Sequence, residues 1–299
     1  MGHIITDLKE AFRRGNVYIQ LIFINVGVFV ITTLIGILLQ LFNRSAAGIF
    51  ELLALPASFT RFAWQPWSIF TYMFMHAGFL HILFNMLWLY WFGALFLYFF
   101  SGKHLRGLYI VGGICGGLLY MISYNVFPYF RPMTAYSTMV GASASVLAIV
   151  VATAYREPNY PVRLLFFGNV RLKYLALIVV LTDLLFITSS NAGGHIAHLG
   201  GALAGLWFAA SLNKGKDITS WVNKALDAIA ALFSAKTWKR KPKMKVHYGN
   251  NTRQNDYDYN AHKKAQSDEI DRILDKLKKS GYESLTTEEK KSLFDASKR

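Results

Sequence analysis

Between Arg14 and Arg44 the chain carries no charged side chain, and after Arg61 another 41 residues pass before Lys103. Runs of this length constrain the fold more than any other feature. A helix crossing the ~30 Å hydrocarbon layer needs about 20 predominantly apolar residues. Only helices and closed barrels satisfy their backbone groups there. The overall charge fits a membrane protein, because 16% of the residues are charged against about a quarter in soluble domains.

Charge-free stretches and breakers divide the chain. Span one is expected at 17–42. Pro66 and Gly78 interrupt the second stretch, leaving a loop and span two at 79–100. Span three follows at 107–125. Pro132 and Gly141 delay span four to 140–155. Between Lys173 and Lys214 the one charge is Asp183, and the run from Ser189 to Gly194 is a turn signal. It separates span five, 172–188, from span six, 194–213. The fold class is therefore an all-α, multi-pass membrane protein with six transmembrane helices over 17–213. Lys9, Arg13, Arg14, Lys103, Arg106, Arg156, Arg163, Arg171 and Lys173 fall on one side, and Arg44, Arg61 and Arg131 on the other. The positive-inside rule then puts both termini, including residues 1–16, in the cytoplasm of a plasma (inner) membrane protein.

Residues 214–299 are different. They hold 20 of the 32 basic and 12 of the 17 acidic side chains. In 214–248, Ile218, Trp221, Val222, Leu226 and Ile229 recur at helical spacing, followed by six Lys or Arg between 236 and 245. That pattern suits a helix lying on the anionic inner leaflet or an amphipathic helix packed on protein. The partners expected are the lipid bilayer and its anionic headgroups, with no nucleic acid. Residues 249–266 read as a linker. Residues 267–299 read as a small cytoplasmic motif of two short helices, with Gly281 as stop and Thr286 with Glu289 as a capping box. Cys115 stands alone in an apolar run and offers neither disulfide nor thiolate metal site.

Ionisable and polar groups at membrane depth are costly and mark candidate sites. Here they are His81, Asn85, Ser143, Ser145, Asp183, His195 and His198, with His76 at the entry to span two. At ~1.5 Å per residue, Ser143 lies roughly 20 Å above Arg156, His198 roughly 24 Å above Lys214 and Asn85 roughly 27 Å above Lys103. Three spans thus bring these groups to a similar level. A serine hydroxyl needs a nearby base, which His198 can supply. Ser143 starts a short helix whose unpaired N–H groups favour negative charge, and His81 and Asn85 can donate to an oxyanion. No span contains a Glu, and Asp183 is the sole carboxylate in them. This argues against His-Glu-x-x-His metalloprotease and paired-aspartate chemistry. A Ser143–His198 dyad without a third acid is expected, with Asp183 a buried hydrogen-bonding group. His195 and His198 have no evident carboxylate or thiol partner, so neither metal nor cofactor is expected. Haem ligation by His76, His81, His195 and His198 is an alternative reading. His76 and His195 are assigned to loop or helix-end structure. Small residues, among them Gly141, Ala144, Ala148, Gly194, Gly201 and Gly205, suit close approach of spans four and six.

At these residues the chain resembles the rhomboid family. His76-Ala-Gly-Phe-Leu-His81-Ile-Leu-Phe-Asn85 is similar to its His-x4-His-x3-Asn pattern, Gly141-Ala-Ser143-Ala to its Gly-x-Ser-Gly motif, and Ala197-His198-Leu-Gly-Gly201 to its Ala-His-x-Gly-Gly motif. The resemblance implies a six-helix core over about 17–213. It implies serine endopeptidase activity on peptide bonds in or beside the transmembrane helices of single-span substrates. Ser143 would be nucleophile, His198 general base, and His81, Asn85 and the Ser143 N–H the oxyanion hole. His76 would be structural, as would Gly141 and Gly201. The other reading is a catalytically silent rhomboid-like protein that binds membrane clients. Four positions depart from the pattern. Ala144 replaces a Gly and is expected to narrow the oxyanion site, tuning the activity rather than abolishing it. Trp67 is followed by Ser68 instead of Arg, Leu97 stands near the place of a Glu, and Leu147 replaces an aromatic residue under the histidine.

Overall fold

The first charge-free run folds as one uninterrupted helix, α1 (Val17–Leu41), in a computed structural model that describes residues 12, 15–164, 168–233 and 252–297. The chain divides into two units, Met1–Thr237 and Trp238–Arg299. In the first unit, the segment expected as a plain loop after α1 contains α2 (Ala47–Leu53), α3 (Phe59–Trp64) and α4 (Ser68–Thr71). Between them β1 (Leu55–Pro56) pairs antiparallel with β2 (Thr138–Met139). The loop has no Arg after Trp67, yet it is well tied. Trp67 Nε1 donates to the Leu52 carbonyl at 2.9 Å, Thr71 Oγ1 to that of Leu53 at 2.7 Å, and Arg61 pairs with Glu51 at 3.2 Å.

The remaining apolar helices are α5 (Phe79–Phe99), α6 (Gly102–Val126), α7 (Ser143–Arg156), α8 (Leu172–Leu185) and α9 (Ala192–Asn213). Six helices thus fall at the expected places, but by length and composition four of them, α1, α5, α6 and α9, can cross a membrane. The two others have 14 residues each, about 21 Å, less than the ~30 Å layer. Span three starts five residues early because Ser101 caps it, accepting from the His104 N–H at 3.3 Å. Between α7 and α8 the chain forms a hairpin of β3 (Pro161–Leu164) and β4 (Gly168–Arg171), so the unit is not purely helical.

The centre of the bundle is α9, packed on α7 and α6. Its glycines make this possible: a Cβ on Gly201 would run into the Ala144 carbonyl, and one on Gly205 into that of Ala148. Outward faces carry exposed Ile31, Leu34 and Leu38 on α1, Phe84 on α5, and Leu177 and Ile178 on α8. Such apolar surface suits lipid.

Helix α10 (Ser220–Phe233) follows α9. Val222 is buried against Val111 and Ala204. Asn223 Oδ1 accepts from Arg106 at 2.9 and 3.1 Å, and its Nδ2 donates to the Lys103 carbonyl at 3.1 Å. One face of this amphipathic helix therefore packs on protein, while Trp221 and Ile229 stay exposed. The basic run 236–245 and most of residues 1–16 lie outside the described residues.

In the second unit, the segment expected as a linker to residue 266 is helical from Thr252 on. One 29-residue helix, α11 (Thr252–Ser280), replaces linker and first short helix. Its sequence contains neither Gly nor Pro to break it. In its second half Ile270, Ile273 and Leu277 recur at helical spacing, with Ile273 buried, and opposite charges four apart, Asp268 with Arg272 and Asp275 with Lys279, add support. Gly281, with φ +77°, ends it, and α12 (Thr287–Ser297) follows. The capping box forms as expected: Glu289 accepts from the Thr286 N–H at 2.9 Å, and Thr286 Oγ1 from the Glu289 N–H at 3.3 Å. Hydrogen bonding from Lys276, at 2.8 Å, and from Thr286 holds the Glu289 carboxyl below its usual range. A depressed carboxyl stabilises the fold above its unfolded value and stops doing so as the pH falls through its folded value. In the full chain, Glu289→Gln is therefore expected to speed amide exchange across 287–297 at neutral pH, with the difference from wild type closing in acid.

Candidate active site

Strand β2 delivers the chain to Gly141, whose N–H donates to the Tyr72 carbonyl at 2.9 Å. Gly141 has φ +136°, and a Cβ there would lie 3.0 Å from Cε1 and Nε2 of His81. Both the backbone angle and the space require glycine. Two residues on, Ser143 is the first residue of α7. Its Oγ lies beside this turn, 3.6 Å from where that Cβ would be. The N–H groups of a first helical turn have no carbonyl partner within the helix, so Ser143 sits where negative charge is favoured.

His81 and Asn85 stand one turn apart on α5. His81 Nδ1 accepts from the Ala77 N–H over a long 3.4 Å. In the neutral ring that leaves the proton on Nε2, the nitrogen beside Gly141. Asn85 is 8% exposed and donates one amide N–H to the His81 carbonyl at 2.8 Å, leaving the other N–H for the cavity. His198 projects from α9. Ser143, His198, His81 and Asn85 all line one cavity of about 730 Å³, walled also by Leu147, Val179, Tyr120 and Tyr124. Ser143 and His198 share this cavity without a mutual hydrogen bond; such bonds are often long in the absence of substrate. His76 lies behind the site, 2% exposed, its ring edge-on to His81 with centroids 5.1 Å apart. Gly201 acts from α9 by admitting the Ala144 carbonyl.

The expectation that His198 lacks an acid partner does not hold. Asp183, on α8 and 4% exposed, places Oδ1 2.9 Å from His198 Nδ1 and 2.8 Å from His195 Nδ1. His195 is thus part of the same cluster rather than a helix-end residue alone. Spacing along the chain gave no sign of this contact, because it depends on the rotation of α8 against α9. The signal that was available is Asp183 itself, a lone carboxylate in an apolar helix. Among the described residues these three side chains form the one group whose ligand atoms are close enough to hold a metal. Their separations are those of N–H···O hydrogen bonds. Ligands about 2.0–2.2 Å from a tetrahedral zinc stand farther apart than that, so the cluster reads as hydrogen-bonded.

Residues 63–214, half of the chain, match the Rhomboid domain family. The chain belongs to the rhomboid family. It is a multi-pass membrane protein. RHOMBOID-like protein 12, mitochondrial, of Arabidopsis thaliana is 29% identical over 158 residues, covering 50% of this chain and 47% of that protein. The match thus spans about half of that relative. Residues 254–299 match a separate family of unknown function, DUF6576; that match begins within the segment expected as a linker.

Within this rhomboid core, two departures from the family pattern have visible consequences. The Ala144 methyl points at α6, where a Cβ on Gly116 would lie 2.6 Å from it, and Ala144 does not line the cavity. The added methyl therefore fills a helix contact and does not narrow the oxyanion side. Leu147, in place of an aromatic ring, is buried and gives the cavity an aliphatic wall with no polar group.

Proposed function

We propose that this rhomboid protein is an intramembrane serine endopeptidase that cuts peptide bonds in or next to the transmembrane segments of single-span membrane proteins. The observation that carries this reading is the gathering of Ser143, His198, His81 and Asn85 around one cavity at the start of α7. Ser143 Oγ attacks the scissile carbonyl while His198 Nε2 takes its proton. The oxyanion forms within reach of His81 Nε2–H, the free Asn85 N–H and the backbone N–H of Ser143. Donors of this kind are commonly worth about 10²–10³-fold each. Protonated His198 then gives its proton to the leaving amine, and water from the cavity hydrolyses the acyl-enzyme. No cofactor enters this chemistry. Six spans in the plasma membrane with cytoplasmic termini remain our topology, on the distribution of Lys and Arg. The basic run after α10 would contact anionic lipid headgroups.

The test is labelling of the purified protein by a fluorophosphonate probe, with the adduct mapped by mass spectrometry. The expected result is one adduct, at Ser143. Absence of an adduct, or labelling elsewhere that persists without Ser143, would leave the silent client-binding protein as the better reading.

A further inference from the structure

We infer that Asp183 is a positioning residue that holds His198 in the tautomer and orientation a general base needs, so that Ser143 and His198 act with a third, acidic member. This rests on the serine endopeptidase reading. Asp183 is the sole carboxylate in the apolar helices of the first unit, and it is almost fully buried. All of its polar side-chain contacts go to imidazoles: Oδ1 meets Nδ1 of His195 and Nδ1 of His198, and Oδ2 has no partner. A carboxylate accepts and cannot donate, so both rings present Nδ1–H to it. A neutral His198 protonated on Nδ1 keeps its lone pair on Nε2, the nitrogen that must take the Ser143 proton.

The arrangement also serves the charged state. When Nε2 takes that proton, His198 becomes an imidazolium whose Nδ1 side faces the buried Asp183. Asp183, at 2.9 Å, compensates this charge through a charge-assisted hydrogen bond. At rest the carboxylate itself needs compensation, because a lone charge at such a site is costly. His195 supplies a second N–H to the same oxygen and remains in place while His198 turns over. Leu147 offers the histidine neither a stacking face nor a polar atom, so orientation falls to Asp183. Ordinary structural hydrogen bonding would explain a buried Asp on a helix, but not two imidazole donors converging on one oxygen with the base among them.

The experiment uses the full chain in detergent. First, ¹⁵N-histidine NMR of the wild type reads the tautomer of His198, assigned by its loss in His198→Ala. A Nδ1-protonated ring with a strongly downfield N–H proton is expected; a Nε2-protonated ring overturns the inference whatever the protein's activity. Second, the rate of fluorophosphonate labelling is compared. Asp183→Asn keeps size and polarity and is expected to slow labelling on the order of 10²-fold, with the melting temperature little changed. Asp183→Glu should recover much of the rate. In a His198→Ala background Asp183→Asn should remove nothing further, because the carboxylate acts through the ring. Labelling of Asp183→Asn within about threefold of wild type, or further loss in the His198→Ala background, would refute the role. A rate that falls on adding EDTA would assign the cluster to a metal and refute it too. An unlabelled wild type removes the endopeptidase reading and the catalytic role with it, while the NMR result still decides the hydrogen bond. Should Asp183→Asn fail to fold, the wild-type tautomer and Asp183→Glu decide the matter.

Discussion

Ser143→Ala is expected to abolish fluorophosphonate labelling and to lower cleavage of membrane-anchored substrates by on the order of 10⁶-fold, about 8 kcal/mol of barrier. The size follows from what is lost. On the proposed mechanism no acyl-enzyme forms without Oγ, and His198 has no nucleophile to activate. His198→Ala should cost nearly as much, and the double variant no more than either alone, because the two act as a unit. The measurement is cleavage of a panel of single-span proteins co-expressed with wild type and each variant. Fragments that persist with Ser143→Ala would show that another group does the chemistry. Melting temperatures should change little, since Ser143 makes no side-chain hydrogen bond and is partly exposed in the cavity.

Gly201→Ala is expected to reduce labelling by roughly 10²-fold, although the substituted residue does not line the cavity. One methyl at this position would run into the Ala144 carbonyl. That carbonyl belongs to the backbone beside Ser143, so relief requires α7 and α9 to part. These two helices carry Ser143 and His198, the nucleophile and base proposed above, and a displacement near 1 Å costs about 10²-fold in rate. Overpacking also costs typically 1–3 kcal/mol of stability. Both losses should appear together, as a slower labelling rate and a lower melting temperature. Normal labelling with a normal melt would show that the helix contact yields more easily than its geometry implies. Substitution at Gly78, where a Cβ meets nothing within 4 Å, is the control.

Much of this was legible in the sequence, for a physical reason. In lipid each span must be apolar throughout, so the few polar side chains that remain stand out, and Ser143, His198, His81 and Asn85 were among them. Charge spacing placed six helices to within a few residues. What the pattern did not contain were relations between helices. Asp183 was visible as a residue but its attachment to His198 was not, because no periodicity encodes how α8 turns against α9. The direction of the Ala144 methyl likewise follows from packing against Gly116. The first half of α11, before residue 267, escapes the sequence pattern because it has no apolar recurrence and is marked as helix by nothing but the absence of Gly and Pro, whereas Ile270, Ile273 and Leu277 mark the second half. The β1–β2 pairing joins residues more than eighty apart and involves two residues on each strand, too few for alternation to register.

Asp183 also bears on how the chain enters the bilayer during synthesis. Its two imidazole partners are encoded 12 and 15 residues later, on the next helix. Until α9 emerges, α8 is a 14-residue segment with an unpaired acid, a poor candidate for stable insertion by itself. In the six-span topology proposed above, its residence in the membrane becomes favourable once His195 and His198 arrive. Helices α8 and α9 should therefore be taken up together as a hairpin, and a nascent chain truncated after residue 190 should leave α8 outside the lipid.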